Sequence, residues 1–198
     1  VNNGLSAYNI TNVIQDREGY MWIASINGLQ RFDGFRFLTF KHNPNDPQSI
    51  PDNFIAQLLL DREQHLWMYF ANGDVGIFDT RKMTFKKAKL KLKNEGSLKR
   101  SRHLMADAEG NIIFVYSNAE VVTYNKTNNE FGSVYNTFNA PENWLVTNII
   151  DDAAGKKYWL CCDSGIVAYN KQTRNLSYRN HNVEHESVID ALGHVKST

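Results

Sequence analysis

The sequence predicts an all-β fold, a β-propeller fragment of four four-stranded antiparallel blades plus the start of a fifth. Three observations predict it: a repeat of about 45 residues, inner strands that are apolar at consecutive positions, and the near absence of helical periodicity. Sheets that are apolar on both faces need neighbours on both sides. Four short strands per repeat, stacked face to face with the next repeat, describe propeller blades.

The first element of each repeat is an apolar stretch that ends at an aspartate. The four aspartates are Asp16, Asp61, Asp107 and Asp152. Glycine follows three residues later in three copies, as Gly19, Gly110 and Gly155, and Gln64 takes this position in the second copy. Aspartate first and glycine fourth are typical of a type I turn. We therefore expect the aspartates to cap turns, not to act as paired catalytic carboxylates.

A hydrophobic second strand follows each turn. Trp22, Trp67 and Trp159 occupy the same position in their repeats, and Phe114 lies near that position in the third copy. A large aromatic side chain in the middle of a doubly covered strand is expected to pack between blades. Sugar stacking is the alternative function for these tryptophans.

The third strand of each repeat closes on an aromatic residue followed by Asp or Asn. These pairs are Phe32-Asp33, Phe78-Asp79, Tyr124-Asn125 and Tyr169-Asn170. The short polar side chain predicts a capped turn into a fourth, more polar strand. Residues 1–198 therefore form one partial propeller. Its repeats span approximately 9–40, 49–87, 98–135 and 145–179, and the first strand of a fifth begins near 186, over residues 187–192.

Composition excludes several classes of function. The chain has 22 Lys and Arg against 21 Asp and Glu, a formal net charge of +1, so no global charge draws it to nucleic acid or to acidic lipid. Its apolar runs are too short to span a bilayer. Cys161 and Cys162 are adjacent in a strand, so their side chains point to opposite faces and are not expected to form a disulfide with each other.

Candidate ligand-binding residues lie in the hairpins that follow the second strands. They are Asn27, Asn72, Asp74, Asn118 and Asp163, with Trp144 added from a connection between repeats where exposure is expected. Equivalent loops of a propeller ring one mouth of the central channel, so these side chains could converge on sugar hydroxyls. Turn chemistry alone would also select Asn and Asp.

Two further patterns invite a functional interpretation. Ten Lys or Arg residues stand between 81 and 103 against one acid, Glu95. A solvated outer strand is the favoured interpretation, and attraction of an anionic glycan is the alternative. The string from His181 to His185 matches H-x-x-E-H, but no helical period surrounds it. We therefore expect no metal site, no cofactor and no catalytic residue.

The first repeat resembles the two-component regulator propeller family. The resemblance rests on Asn3-Gly4-Leu5-Ser6, on Ile14, Asp16, Gly19 and Trp22 with Ile23-Ala24, and on Asn27-Gly28-Leu29 with Arg31-Phe32-Asp33-Gly34 and Phe37. The second and fourth copies retain the pattern. The third departs from it, with Glu120 where the hairpin glycine would fall.

This resemblance implies the N-terminal periplasmic sensor region of a Bacteroidetes hybrid two-component system. Such sensors recognise glycan-derived oligosaccharides and control polysaccharide-utilisation genes, and the histidine kinase lies outside these residues. The implied partner is an oligosaccharide, with an anionic one as a possibility, and the blade faces left exposed favour self-association. A propeller lyase or hydrolase acting on polysaccharide and a protein-interaction scaffold are the alternatives.

Overall fold

The computed structural model describes residues 4–91, 102–116, 121–132, 138, 141 and 143–193. The chain divides into two compact units, Val1–Leu90 and Lys91–Thr198. The strands of the first unit are β1 Ile10–Gln15, β2 Met21–Ser25, β3 Gly28–Phe32, β4 Phe37–Phe40, β5 Ile55–Leu60, β6 Leu66–Phe70, β7 Val75–Asp79, β8 Thr84–Lys87 and β9 Lys89–Leu90. Those of the second are β10 Arg102–Ala106, β11 Ile112–Tyr116, β12 Val121–Asn125, β13 Glu130–Gly132, β14 Val146–Asp152, β15 Lys157–Cys162, β16 Gly165–Asn170 and β17 Leu176–Tyr178, followed by α1 Ser187–Gly193.

In the first unit, β1 to β4 and β5 to β8 form two antiparallel sheets, blade 1 and blade 2, each paired in chain order. The core between them contains Trp22 and Leu29 from blade 1 and Leu58 and Phe78 from blade 2, all almost fully buried. The Asn12 side-chain oxygen also accepts a hydrogen bond from the backbone N–H of Leu58 at 3.0 Å. Apolar packing and this polar contact hold the two blades together.

In the second unit, β10 to β13 pair in chain order as blade 3, and β14 to β17 do so as blade 4. The core of this unit includes Ile113 and Val115 of blade 3 with Ile149, Leu160 and Val167 of blade 4. The predicted four four-stranded antiparallel sheets are confirmed. They arise because the strands are short and bounded by turns that the local sequence favours, and because the inner strands are apolar on both faces.

The chain that leads into blade 1 lies across one side of that blade. The Gln30 side chain accepts a hydrogen bond from the Ser6 backbone N–H at 2.7 Å and donates one to the Gly4 carbonyl at 3.0 Å. Gly4 has φ +91°, and a Cβ there would lie 2.7 Å from the Phe37 ring. Both the backbone conformation and the close ring require glycine at this position.

The aspartates cap turns as predicted. Asp16 accepts the backbone N–H of Gly19 on its carbonyl at 3.1 Å and that of Tyr20 on Oδ1 at 2.9 Å. Asp61 and Asp107 repeat both contacts with the third and fourth residues that follow them. Gln64 adopts φ +68°, so it takes the left-handed conformation that glycine takes in the first and third copies.

The second carboxylate oxygen of the same aspartates accepts a hydrogen bond from a tryptophan indole. Trp22 Nε1 donates to Asp16 at 2.7 Å, Trp67 Nε1 to Asp61 at 2.9 Å, and Trp159 Nε1 to Asp152 at 3.4 Å. One carboxylate therefore holds both the turn and the aromatic side chain of the following strand. Trp22 and Trp67 are fully buried and Trp159 is half-buried.

The register places these tryptophans at matching positions in their blades. Trp22 is opposite Ile14, Trp67 opposite Leu59, and Trp159 opposite Ile150, in each case the residue two before the aspartate. In blade 3 the equivalent pair is Met105 and Ile113. Phe114, which the sequence places near this position, lies one residue further along β11 and therefore on the opposite face of the strand.

The turn of blade 4 contains one more residue than the turn of blade 1. Gln15 pairs with Met21 across the first turn, whereas the corresponding pair in blade 4 is Asp151 and Tyr158. The extra residue moves the left-handed conformation from the glycine position to Lys156, which has φ +51°. The pairing beyond the turn is unchanged.

The sequence predicts that residues 187–192 form the first strand of a fifth blade. This prediction is wrong, because these residues lie in α1. The backbone N–H groups of Ile189 and Asp190 donate to the Glu186 carbonyl, and the Asn182 side chain accepts from the Glu186 N–H at 2.8 Å. Local hydrogen bonds and this cap satisfy the backbone without a neighbouring strand. Ile189 is buried, so the helix uses an apolar residue that a strand would also require.

Replacing Trp22 by alanine is expected to lower the free energy of unfolding by about 3–5 kcal/mol, because it removes a fully buried aromatic side chain and leaves a cavity. Urea denaturation followed by circular dichroism measures the change. Phe35→Ala is the matched control, since Phe35 is 92% exposed, and its effect should stay within about 0.5 kcal/mol. Equal effects of the two substitutions would contradict the assigned core.

The pKa of Asp61 lies below its ordinary value of 3.8. Burial acts to raise this pKa, but hydrogen bonds from the Trp67 indole and from His65 outweigh it. Its contribution to stability is therefore present above about pH 4 and is lost as the pH falls further. We expect the stability difference between wild type and Asp61→Asn to shrink below about pH 4. Chemical denaturation at a series of pH values checks this, and a constant difference would refute it.

Candidate functional site

Asn27 lies in the hairpin between β2 and β3, and both the nitrogen and the oxygen of its side-chain amide form hydrogen bonds. Its Nδ2 donates to the Ser6 carbonyl at 2.8 Å, and its Oδ1 accepts from Lys41 Nζ at 3.1 Å. The side chain therefore fixes the segment that leads into blade 1. A ligand at this position would have to replace or share these contacts.

Asn72 and Asp74 lie together in the hairpin between β6 and β7. Asn72 Oδ1 accepts the backbone N–H of Asp74 at 2.9 Å, which is the side-chain capping that turn chemistry predicts. The Asp74 carboxylate forms an ion pair of 2.6 Å with Lys87. The exposed Asn72 side chain is the more accessible of the two.

Trp144 and Asp163 come together at the corresponding hairpin of blade 4. Asp163 Oδ1 accepts the Leu145 backbone N–H at 3.0 Å, and a Cβ on Gly165 would lie 3.0 Å from the Trp144 ring. Trp144 packs against this glycine and against Tyr178 and is half-buried. It is therefore less exposed than expected for a residue in the connection between two repeats. Asn118, the equivalent residue of blade 3, lies outside the described residues. Ligand binding by this set of hairpin residues stays a prediction.

The basic segment is described as far as Lys91 and again from residue 102. Lys87 pairs with Asp74, and Lys91 lies 3.7 Å from Glu130. These ion pairs are mostly solvent-exposed, so each contributes little to stability. Lys93, Lys99 and Arg100 lie outside the described residues. The described part agrees with a solvated outer strand.

A cavity of about 470 Å³ borders the hairpin of blade 4. Its walls include both cysteines, Asp163, Gly165 and Ile189. Neither cysteine is in a disulfide. Burial, with the negative charge of Asp163 as a second cause, raises the pKa of the Cys162 thiol to about 11. The thiol is therefore protonated at neutral pH and is a poor nucleophile.

A second cavity, of about 420 Å³, lies between blades 3 and 4 of the second unit, and no sequence motif predicts it. From blade 3 it is lined by Asp107, Glu109, Asn111, Ile113, Val121 and Thr123. From blade 4 it is lined by Tyr158, Tyr169, Lys171 and Arg174, with Phe138 from the segment before that blade. Its volume lies within the range of about 300–1,000 Å³ that is usual for small-molecule sites.

Three aromatic rings form the apolar wall of this cavity. Tyr158 and Tyr169 are direct cross-strand partners on β15 and β16, with ring planes 16° apart and centroids at 6.4 Å. Phe138 packs edge-on against both rings, at centroid distances of 5.8 and 4.7 Å. The two tyrosines are half-buried, so part of each ring remains accessible.

Charged side chains surround the Tyr158 ring. Lys171 Nζ lies 4.3 Å from the ring centroid, 2.5 Å from Asp151 and 3.4 Å from Glu109. Burial acts to lower the pKa of Lys171, but the hydrogen bonds and charges of Asp151 and Glu109 raise it above its ordinary value. Burial, followed by the charge of Asp107, also raises the pKa of Tyr158, so its hydroxyl stays protonated and donates to Asp107 Oδ2 at 3.3 Å.

Asp151 connects the two blades at the same place. Its Oδ2 accepts the Ala108 backbone N–H from the turn of blade 3 at 2.6 Å, while its Oδ1 pairs with Lys171. The Asp151 side chain is only 7% exposed. A buried carboxylate of this kind depends on its cation for charge compensation.

The described residues contain no group of three or more His, Cys, Asp or Glu side chains arranged to hold a metal ion. His181 stacks on Tyr178, and the 181–185 string precedes α1 instead of lying within it. None of the helices in the described ranges is long and apolar enough to cross a membrane.

Blades of four antiparallel strands, each packed on a neighbour within its unit, define a β-propeller protein. Solved structures show the same fold. The chain aligns over 89% of its length with 25% of the extracellular domain of BT3049 from B. thetaiotaomicron, a protein assigned to the hybrid two component systems, with a TM-score of 0.71 and 18% identity. It aligns over 80% of its length with 49% of the WD40 β-propeller domain of Doa1, with a TM-score of 0.55 and 12% identity.

Residues 4–27 match the family described as two component regulator propeller. The predicted resemblance to this family is confirmed over these residues. A segment of 48 residues is also 38% identical to histidine kinase P4 of Formosa agariphila, and covers 24% of this chain and 4% of that protein. The chain thus spans a quarter of the BT3049 domain and a small part of the kinase.

Lys171→Met is expected to lower the free energy of unfolding by about 3 kcal/mol, because it leaves the carboxylate of Asp151 buried without its cation. Adding Asp151→Leu to this variant should recover part of the loss. Lys82→Met is the control, since its ion pair with Asp79 is solvent-exposed and should contribute less than about 1 kcal/mol. Denaturant unfolding measures all four proteins; similar losses for both lysines would contradict the interpretation.

Proposed function

We propose that this chain is part of the extracytoplasmic sensor of a two-component receptor, in the periplasm, and that it takes part in recognising glycan-derived oligosaccharides. The observation that carries the proposal is the match of residues 4–27 to the two-component regulator propeller repeat. The fold shared with the extracellular domain of BT3049 and the local identity to a histidine kinase support it. In this proposal the kinase lies outside these residues, and the receptor controls polysaccharide-utilisation genes.

The placement of the carboxylates favours binding over catalysis. Asp16 and Asp61 use both oxygens for a turn and an indole, and Asp152 does the same with Gly155 and Trp159. A general acid and a general base need different environments at converging positions. Repeated carboxylates with the same contacts serve the scaffold.

Self-association belongs to the same proposal. Several large apolar side chains of the first unit are exposed, among them Tyr8, Val13, Phe35 and Leu38. Exposed apolar surface on propeller blades favours contact with another blade or another copy of the chain. A sensor must also bind its ligand with different affinity in two arrangements, and association offers such arrangements.

Isothermal titration with cellotriose, xylotriose, arabinotriose, galactotriose and mannotriose, and with trigalacturonate as an acidic probe, tests the proposed recognition. We expect saturable binding of at least one probe and no change in the chain length of any probe on chromatography. Cleavage of a probe would support a propeller enzyme instead. Absence of binding across the panel would contradict oligosaccharide recognition by these blades.

A further inference from the structure

The cavity between blades 3 and 4 exists because blade 3 departs from the repeat. In blade 1 a row across the sheet reads Ile14, Trp22, Arg31 and Leu38, each residue opposite the next. The same row in blade 3 reads Met105, Ile113, Thr123 and Gly132. Three large side chains are replaced by smaller ones on the face that meets the following blade.

The first unit shows what normally occupies this space. Trp22 packs on Phe78 of the following blade with ring centroids at 5.8 Å, and both side chains are almost fully buried. The equivalents of these two residues in the second unit are Ile113 and Tyr169, and both line the cavity. The cavity therefore occupies the place that a tryptophan fills between blades 1 and 2.

The missing indole also changes the contacts of the turn aspartate. Asp16 and Asp61 each direct Oδ2 to an indole six residues later, and the residue at that spacing from Asp107 is Ile113. Asp107 Oδ2 instead accepts Asn111 Nδ2 at 2.8 Å and the Tyr158 hydroxyl at 3.3 Å. Asp107, which is only 6% exposed, thus lines the cavity beside an aromatic wall.

The chemistry of the walls points to a neutral sugar. Tyr158 and Tyr169 present nearly parallel rings, which suit the apolar face of a pyranose, and Asn111, Thr123 and Asp107 offer groups that bind hydroxyls. The cavity's two acids, Asp107 and Glu109, balance its two bases, Lys171 and Arg174.

An anionic sugar fits this cavity poorly. The Lys171 ammonium is already paired with Asp151 and Glu109, and the buried Asp107 carboxylate would repel a second negative charge. A neutral polyol meets no such cost. The apolar wall alone would admit a purely apolar ligand, but such a ligand would displace water from the Asp107 carboxylate without offering a hydrogen bond in return.

We propose that the cavity between blades 3 and 4 is a binding subsite for one neutral pyranose unit, created by Ile113 in place of the repeat tryptophan. The ring lies against Tyr158 and Tyr169, and its hydroxyls bind Asp107, Asn111 and Thr123. This inference rests on the proposed function, since it assigns a location and a sugar class to the recognition proposed above.

The decisive variant is Ile113→Trp, which restores the residue found in the other three blades. The indole would occupy part of the cavity beside Asp107 and can donate to its carboxylate at the spacing seen in the first two repeats. We therefore expect the variant to melt no lower than the wild type and to bind the neutral trisaccharides at least about tenfold more weakly. Tyr169→Ala, which removes one of the three rings of the aromatic wall, should weaken binding in the same way.

The matched control is Ile150→Trp, at a side chain that is 53% exposed and does not line the cavity. It should bind the neutral probes as the wild type does. Titration calorimetry with the neutral trisaccharides and trigalacturonate, beside thermal melting of each variant, gives the complete comparison.

The outcomes separate the two proposals. Unchanged binding by folded Ile113→Trp or Tyr169→Ala overturns the subsite and leaves oligosaccharide recognition standing at another place. A wild type that binds only trigalacturonate overturns the neutral class. A wild type that binds no probe removes the proposed recognition and the subsite with it. Loss of binding in both cavity variants, with the control unchanged, supports the subsite.

Discussion

The structure depends on a repeated aspartate whose carboxylate binds both the turn and the tryptophan of the following strand. In blades 1 and 2, Oδ1 of the aspartate holds the turn and Oδ2 holds the indole of the next strand, as Asp16 does for Tyr20 and Trp22. The indole is a donor that burial between blades would otherwise leave without an acceptor. The aspartate therefore makes it possible to place the largest apolar side chain at the blade interface, and the interface core forms around it.

Much of this arrangement follows from local sequence. The turns at Asp16 and Asp61 and the caps at Asp33 and Asn170 were predicted because short polar side chains bind amides two to four residues away. The indole contacts of blades 1 and 2 could have been predicted from the six-residue spacing between aspartate and tryptophan. The α1 helix was not, because its seven residues contain a short apolar stretch that satisfies strand and helix patterns equally.

The cavity could be found only by combining repeats with register. The sequence shows that the third copy lacks tryptophan. An alignment of repeats that is uncertain by one residue, however, does not determine which face of the strand each side chain lies on. Pairing of Met105 with Ile113 settles that face, and pairing of Tyr158 with Tyr169 brings together an aromatic wall that no linear motif contains. Residues shared by the repeats build the scaffold, and departures from the repeat produce the features that distinguish one interface from another.

The longer turn of blade 4 has a consequence for how such a module changes over time. Its extra residue leaves Ile150 opposite Trp159, as Ile14 is opposite Trp22. Insertions at this edge are thus absorbed by backbone conformation, with Lys156 in the left-handed region, and do not reach the strands. Loop length at this rim can diverge among descendants of one ancestral blade, while an insertion within a strand would move the following side chains to the opposite face unless a β-bulge absorbed it.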